Sequence, residues 1–331
     1  MKRHQGLFIL PPQHCSRIYG DEGLAAIRGR VDAEGPFTPQ EILAAPDRLR
    51  DVEMIFTGWG GPRIDDTFLK AAPRLDMVFY GAGSIKGIVS DAFWRRGCRI
   101  TSAYGANAVP VVEFTLSEIV FSLKHGWQHV RLMRRNRGCN GRHEPPGAYG
   151  TTVALISLGV IGRGVCRRLA DLDVTVLAYD PFIDPDEARK QGVELVSLDE
   201  AFRRSDVISL HTPWLPETEG LITGRHFELM KPGATFINTS RGAIVREAEM
   251  IDVLTRRDDI FAVLDVTHPE PPVAESPLYA LDNVVLTPHI AGSMGRECLR
   301  MGRTMVEELD RYLAGQPLTW EINEAKAKIL A

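Results

Sequence analysis

Three short segments of the sequence supply a guanidinium, a carboxylate and an imidazole, and each follows a run of apolar residues. They are residues 238–242 with Arg241, residues 264–271 with Glu270, and residues 287–292 with His289. Arginine can hold a carboxylate in a bidentate hydrogen bond, and histidine can exchange a proton near neutral pH. A glutamate can orient the histidine ring and favour its protonated form. These are the groups needed for reversible oxidation of a 2-hydroxy acid.

Each of the three residues also has a simpler explanation when it is considered alone. Arg241 could form a surface ion pair, Glu270 could be a loop acid, and His289 could be a capping or core histidine. Their joint position beside a nucleotide-binding motif favours the catalytic interpretation.

That motif runs from an apolar strand, through a turn that contains Gly159 and Gly162, into a helical pattern. Glycines let a backbone approach a pyrophosphate, and the N-terminus of a helix supplies free N–H groups. Asp180 ends the next strand, where a carboxylate accepts hydrogen bonds from ribose hydroxyls and repels a 2′-phosphate. Since no arginine directly follows it, we expect NAD and not NADP. Ser157 occupies the first glycine position, and we expect it to narrow the turn without abolishing it.

Nine short apolar runs are predicted to be strands, because runs that are apolar throughout are typical of parallel strands buried on both faces. They comprise residues 7–10, 54–57, 77–80, 153–157, 174–179, 207–210, 235–238, 262–266 and 284–287. Helical patterns separate them, so the predicted fold class is α/β with doubly wound parallel sheets. One long helix is predicted from Val109 to about Arg135, with Pro110 near its start, followed by a surface loop over residues 136–150.

Composition narrows the class of protein. The chain has 331 residues, of which 44% are hydrophobic and 25% charged, and its formal net charge is −4. Two globular domains are the default for this length, and no basic block suggests a nucleic-acid partner. The five cysteines form no CxxC pair, so we expect free thiols, no metal site and a reducing compartment.

The N-terminus is basic and is followed by an apolar run. That run covers only residues 7–10 before two prolines, which is too short for a signal peptide or a membrane span. No other segment is expected to approach membrane length, so we expect a cytoplasmic protein without a membrane partner.

Ordered sequence blocks then point to a family. From about Gly81 to His289 the chain reads GAG, SLGVIG with Asp180, SDVISLHTPWLPETEGLI, MKPGATFINTSRGAIV, LDV followed by EP, and TPHIAG. This series resembles the D-isomer-specific 2-hydroxyacid dehydrogenase family. The resemblance implies an NAD-dependent oxidoreductase acting on the CH–OH group of a D-2-hydroxy acid, with hydride transfer between the cofactor and the substrate.

The same resemblance assigns roles to individual residues. His289 is implied as the acid/base, Glu270 as its support, and Arg241 as the substrate-binding cation. The amides of Ala82 and Gly83 are implied to bind the substrate carboxylate. Contacts with the cofactor are implied for Gly159, Val160, Ile161, Gly162, Asp180, Thr212, Pro213, Thr218, Thr239, Ser240 and Asp265.

The family pattern also implies a discontinuous first domain. Residues 1–103 and 293–331 are expected to form a flavodoxin-like substrate-binding domain, with a Rossmann NAD-binding domain inserted over residues 104–292. By analogy, we expect a homodimer that pairs through the nucleotide domain, with the Val109 helix and the 136–150 loop as the contact arm.

Some positions depart from the family pattern and leave the substrate open. Lys86 and Arg246 stand near positions where acids are frequent. Glu270 is unlike formate-oxidising relatives, which usually have glutamine, and Lys86 is poorly spaced for a phosphite-oxidising relative. A small anionic 2-hydroxy or 2-oxo acid is the expected substrate. The alternatives are a dehydrogenase of a phosphorylated hydroxy acid and a nucleotide-sensing, corepressor-like binding protein on the same fold.

Overall fold

The computed structural model describes residues 3–330, which form two compact α/β units. Unit 1 contains the described residues up to Ala108 together with those from Ser293 onward, and unit 2 runs from Val109 to Gly292. The first boundary therefore falls inside a helix that begins at Tyr104. All five cysteines are free thiols, and only Cys139 is exposed.

The chain alternates short strands with helices. The strands are β1 (Gln5–Ile9), β2 (Asp32–Phe37), β3 (Met54–Thr57), β4 (Met77–Tyr80), β5 (Arg99–Ser102), β6 (Thr151–Ile156), β7 (Val174–Tyr179), β8 (Val193–Leu195), β9 (Val207–Leu210), β10 (Thr235–Asn238), β11 (Phe261–Leu264), β12 (Val284–Leu286) and β13 (Glu321–Ile322). The helices are α1 (Pro12–Ile18), α2 (Gly20–Arg30), α3 (Pro39–Ala44), α4 (Asp66–Ala71), α5 (Asp91–Arg96), α6 (Tyr104–Leu123), α7 (Gly126–Asn136), α8 (Val160–Leu169), α9 (Pro185–Lys190), α10 (Leu198–Arg204), α11 (Gly224–Leu229), α12 (Glu247–Arg256), α13 (Cys298–Leu313) and α14 (Glu324–Ala327). Single 3-10 turns lie at Pro46–Leu49, Gly242–Ile244, Pro277–Tyr279 and Gly295–Glu297.

The sheet of unit 1 has the strand order β13-β5-β4-β3-β1-β2. Its strands are parallel except β13, which pairs antiparallel with β5. Successive residues face opposite apolar layers: Ile55 and Val78 belong to one core cluster, whereas Phe56 and Phe79 belong to the other and stack 5.0 Å apart. Burial on both faces explains why these strands are apolar throughout.

The sheet of unit 2 has the order β12-β11-β10-β9-β6-β7-β8, and every pair is parallel. Ala154 and Ile156 of β6 pack in one core cluster, and Val153 and Leu155 pack in the other. Because all seven strands run the same way, the segments that follow them emerge at one edge, where open α/β sheets place their ligands. The predicted fold class, two doubly wound parallel-sheet domains, is confirmed.

All nine predicted strands are present with ends within two residues, but four strands were missed: β2, β5, β8 and β13. The single long helix predicted from Val109 is wrong, because α6 begins earlier and the chain breaks at His125, whose φ is 48°. Pro110 lies inside α6 and not near its start. The helix that follows unit 2, α13, begins at Cys298 after a 3-10 turn.

Helix α6 also corrects the expectation that no segment approaches membrane length. By length and composition it is the one described helix that could cross a membrane. More than half of it is buried within the protein. Buried core helices of soluble proteins have the same length and composition, so this feature is weak evidence for a membrane span.

Candidate active site

The three predicted catalytic side chains follow three adjacent strands of unit 2. Arg241 comes after β10, Glu270 after β11, and His289 after β12, so all three lie at the carboxyl edge. The Nδ1 of His289 lies 2.5 Å from the Oε1 of Glu270. A carboxylate only accepts, so Nδ1 carries the proton and Nε2 is the nitrogen that can exchange one. Both side chains are partly exposed, as groups that meet a substrate must be.

The Arg241 guanidinium is mostly enclosed by protein. One terminal nitrogen donates to the backbone carbonyl of Ser240 at 2.7 Å. Burial lowers the pKa of Arg241, and the charge of Glu270 acts in the opposite direction. The ordinary pKa of arginine is so high that the side chain stays charged. Arg241 is thus a partly desolvated cation with donors left for an anion.

Asp265 holds the loop that carries His289. Its Oδ1 accepts from the Thr287 hydroxyl at 2.6 Å and from the Ile290 N–H at 2.8 Å, and its Oδ2 accepts from the Ala291 N–H at 2.9 Å. His289 itself has a φ of 54°, in the left-handed region that costs a residue with a side chain on the order of 1 kcal/mol or more. Family resemblance suggested only a cofactor contact for Asp265, so this supporting role was missed.

The glycine-rich turn has the close approach that a pyrophosphate site needs. A Cβ at Gly162 would lie 2.2 Å from the carbonyl oxygen of Ser157, so only glycine fits where α8 meets β6. At Gly159 an added Cβ would meet nothing within 4 Å, which leaves space for a ligand. The first N–H groups of α8, at Val160 and Ile161, have no partner within the helix. Ser157 keeps a φ of 81°, so the turn has the conformation that a glycine would adopt.

Asp180 closes the other side of this turn, at the end of β7. Its Oδ2 accepts from the Leu158 N–H at 2.7 Å, and its Oδ1 accepts from the Phe182 N–H at 2.9 Å. Two carboxylate oxygens offer about four acceptor positions, so ribose hydroxyls can still bind. Phe182 is 94% exposed beside this carboxylate. From the sequence, this position was used only to show that no arginine follows Asp180. The large apolar side chain that stands there instead was visible in the sequence and was not considered.

The other predicted cofactor residues join the carboxyl ends of β9 and β10. The Ser240 hydroxyl donates to the backbone carbonyl of Thr212, and the Thr239 hydroxyl lies 3.0 Å from a threonine hydroxyl of α6. The Thr218 hydroxyl donates to the carbonyl of Pro213 at 2.6 Å. These bonds fix the backbone beside the glycine-rich turn.

His211 stands behind the same turn and was missed as a site residue. Its ring carbon Cδ2 is 3.7 Å from where a Cβ at Gly162 would lie, and its Nε2 is 3.0 Å from the Ser209 hydroxyl. Burial lowers the pKa of His211 to about 3, so the ring is neutral. It supports the turn without adding charge.

In unit 1, Ala82 and Gly83 form the turn after β4. The Ser102 hydroxyl lies 2.8 and 2.6 Å from the carbonyl oxygens of these two residues, which share its one O–H donor. Within residues 3–330, the N–H groups of Ala82 and Gly83 donate to no acceptor. Consecutive free amides at such a turn form a concave anion-binding site.

Comparison with known proteins shows which family the chain belongs to. Residues 118–291 match the model of the D-isomer specific 2-hydroxyacid dehydrogenase, NAD binding domain. The chain belongs to the D-isomer-specific 2-hydroxyacid dehydrogenase family. The matched residues lie within unit 2, which identifies it as the family's NAD-binding domain.

Members of this 2-hydroxyacid dehydrogenase family include curated proteins similar to the chain. D-3-phosphoglycerate dehydrogenase of Archaeoglobus fulgidus is 33% identical over 79% of this chain and 50% of its own length. The Mycobacterium bovis protein of that name is 33% identical over 88% of this chain and 55% of its own. The chain therefore spans about half the length of these relatives. The holo structure of Rhodotorula graminis D-mandelate dehydrogenase shares the fold, with a TM-score of 0.83, 23% identity, and coverage of 98% of this chain and 99% of that one.

Proposed function

We propose that the protein interconverts a D-2-hydroxy acid and its 2-oxo acid with NAD(H). The observation that carries this proposal is the hydrogen bond between Glu270, after β11, and His289, after β12, in the same row of strands as β10, which precedes Arg241. An acid/base, its orienting carboxylate and a carboxylate-binding cation at one edge of an NAD-binding domain form the minimum set for this reaction.

His289 is proposed as the acid/base. In the oxidative direction its Nε2 takes the hydroxyl proton of the substrate, and in the reductive direction it returns that proton. Glu270 stabilises the charged ring through the Nδ1 hydrogen bond. Arg241 donates hydrogen bonds to the substrate carboxylate and to the oxygen on which charge develops. When bound, the nicotinamide ring accepts or supplies the hydride.

The residues that would hold NAD are those of the glycine-rich turn, Gly159 to Gly162, with Asp180 at the ribose. Further contacts are proposed from the backbone that follows β9, β10 and β11, with Thr212, Pro213, Thr218, Thr239, Ser240 and Asp265 as the residues concerned. The free N–H groups of Ala82 and Gly83 are proposed to bind the carboxylate of the substrate.

His289→Ala tests the assignment. We expect kcat for NADH oxidation with 2-oxo acids to fall by roughly 10²- to 10⁴-fold, with NADH binding retained in a fluorescence titration. His143→Ala, which removes an imidazole from a loop elsewhere in unit 2, should leave the rate unchanged. Full activity of His289→Ala would overturn the assignment.

The substrate panel compares hydroxypyruvate, glyoxylate, longer 2-oxo acids and 3-phosphohydroxypyruvate, each with NADH and with NADPH. Curated relatives are named for D-3-phosphoglycerate, which supports including the phosphorylated acid. A protein that binds NADH tightly and turns over none of these acids would instead be a nucleotide-sensing binding protein.

We also propose that two copies pair through unit 2. Helix α7 has no buried residue, although Val130 and Met133 lie on it, and neighbouring Val120 and Phe121 of α6 are partly exposed. Such an apolar surface is typical of a subunit interface. In analytical ultracentrifugation, the wild type should sediment as a dimer, and Met133→Glu should dissociate at a higher protein concentration than the wild type does. A monomeric wild type would contradict the proposal.

A further inference from the structure

The end of helix α1 packs against the carboxyl ends of the unit 1 strands, where the Ala82–Gly83 turn follows β4. The Ile18 side chain lies 2.5 Å from where a Cβ at Gly58 would be, and 2.7 Å from where one at Gly81 would be. Gly58 follows β3 and Gly81 follows β4, so Ile18 touches both carboxyl ends. Arg17 reaches the same end of the sheet, because its side chain lies over the ring of Trp59, which follows β3, the strand next to β4 and its Ala82–Gly83 turn.

Arg17 is a cation held in place without a carboxylate partner. Its Cζ lies 5.4 Å from the centroid of the Trp59 ring. Its Nε donates to the Cys298 Sγ at 3.2 Å, and a terminal nitrogen donates to the Met294 Sδ at 3.1 Å. Sulfur is a weak acceptor, and no carboxylate among the described residues pairs with Arg17.

The other arginines that lie over aromatic rings in unit 1 are bonded differently. Arg28 donates to two backbone carbonyl oxygens, Arg48 lies 3.8 Å from a glutamate, and Arg99 forms a bidentate pair with another glutamate. The guanidinium group of each of these three arginines therefore lies near a carbonyl or carboxylate oxygen. Arg17 differs from them because its strong donors meet only sulfur.

The tryptophan under Arg17 is itself fixed. His14 Nδ1 donates to the Trp59 carbonyl at 2.8 Å, and the two rings meet edge to face at 6.3 Å. A cation supported by a rigid indole loses little entropy when it binds an oxyanion. Trp59 therefore sets the position of the charge, and Arg17 supplies it.

We propose that Arg17 is a specificity-determining residue that binds a second anionic group on the substrate, at the end distant from the reacting carbon. The proposal rests on the proposed function and adds the substrate class: 2-oxo acids that carry a second anionic group. The group is an oxyanion, either carboxylate or phosphate, that exchanges the weak sulfur contacts of Arg17 for charge-assisted hydrogen bonds. Within unit 1, the first carboxylate is left to the amides of Ala82 and Gly83.

The test compares matched pairs of 2-oxo acids that differ in the second charge. The carboxylate arm pairs 2-oxoglutarate with 2-oxovalerate, and the phosphate arm pairs 3-phosphohydroxypyruvate with hydroxypyruvate. We expect Arg17→Met to lower kcat/KM by roughly 10- to 100-fold for the preferred acid with a second anionic group, and to leave that of its monoanionic partner within about twofold. Arg17→Lys, which keeps the charge but not the fork, should retain part of the preference and serves if the methionine variant does not fold.

Arg48→Met is the matched control, because it also removes an arginine from an aromatic ring of unit 1. It should not alter the ratio of kcat/KM between the two members of a pair. An equal loss of kcat/KM on both members of a pair in Arg17→Met, or a wild type without preference for either acid with a second anionic group, would overturn the proposal. If either result occurs and the wild type still turns over the monoanionic acids, the proposed function stands and only the role of Arg17 is overturned. Absence of turnover with every acid would overturn both.

Discussion

Asp265 accepts a hydrogen bond of 2.6 Å from the hydroxyl of Thr287, two residues before His289. The bond joins the ends of β11 and β12, and together with the bonds from the Ile290 and Ala291 N–H groups it engages both carboxylate oxygens. The geometry of the acid/base therefore depends on a carboxylate that does not contact His289 through its own side chain. It is the positive φ of His289 that makes this support necessary.

Replacing Asp265 by asparagine should disturb this loop. An amide group would direct N–H donors at backbone N–H groups that now meet an oxygen, and unmet donors are costly when buried. We expect kcat to fall by roughly 10- to 100-fold. Asp258→Asn, at an exposed turn, is the control and should keep full activity. An Asp265→Asn enzyme with unchanged kcat would show that the loop is held by other contacts.

Two glycines of one turn should respond differently to alanine. Gly162→Ala places a Cβ 2.2 Å from the Ser157 carbonyl, so α8 must move and the free energy of unfolding should fall by roughly 2 kcal/mol or more. Gly159→Ala has open space and a φ of −69°, so its Tm should match the wild type. Its methyl group nevertheless occupies the proposed ligand space, so NADH affinity should fall about tenfold or more in a fluorescence titration. Unchanged NADH binding by Gly159→Ala would argue against a pyrophosphate at this turn.

Ser157→Gly should stabilise the protein. The change relieves a left-handed conformation worth about 1–2 kcal/mol, costs about 0.4–1 kcal/mol of chain entropy and removes a long hydrogen bond of 3.4 Å to Asp180, so a net gain of up to about 1 kcal/mol is expected in urea unfolding. Ser205→Gly is the comparison, since Ser205 has a φ of −99° and its hydroxyl has no partner within the described chain. That variant gains only flexibility and should lose stability. A loss in both variants would mean that Ser157 is not strained.

Glu118 provides a pH-dependent test of stability. It is buried in α6, and the indole N–H of Trp127 donates to it at 2.8 Å. Burial raises the pKa of Glu118, and the charge of Asp265 adds to the rise while the indole bond opposes it. Because the pKa of Glu118 is higher in the folded protein than in the unfolded chain, its contribution to the free energy of unfolding is fully present below the unfolded-state pKa. That contribution is lost as the pH rises through the folded-state pKa.

Glu118→Gln should therefore melt at the same temperature as wild type in acid and roughly 2–4 °C higher at pH 8. Glu113→Gln, on an exposed face of the same helix, is the control and should show no such trend. A difference between Glu118→Gln and wild type that does not change with pH would assign it to packing and not to ionisation.

Strand prediction depended on where each strand lies in its sheet. Runs such as Met77 to Tyr80 are buried on both faces and are apolar throughout, so the sequence alone locates them. The edge strand β2 pairs only with β1 and contains Asp32, Glu34, Gly35 and Pro36, which no apolar pattern marks. The break at His125 also left no signal, because helical periodicity continues on both sides of it.

The residues of the site that could be predicted are those whose position follows from the order of the strands along the chain. Arg241, Glu270 and His289 each follow a recognisable strand, so parallel topology brings them to one edge. The contacts of Asp265 with the 287–291 segment depend on the register between β11 and β12, which no local pattern encodes. The environment of Arg17 depends on residues nearly 280 positions away in the chain, so it was also invisible.

The pairing of β13 with β5 has a consequence for biosynthesis. Unit 2 contains every one of its strands by Gly292, and nascent domains fold as units while the chain is still being made. Unit 1 begins before unit 2 in the chain, but its sheet lacks β13 and its second apolar layer lacks α13 until residues 293–322 have emerged. Of the two units, the one that begins earlier is thus completed later.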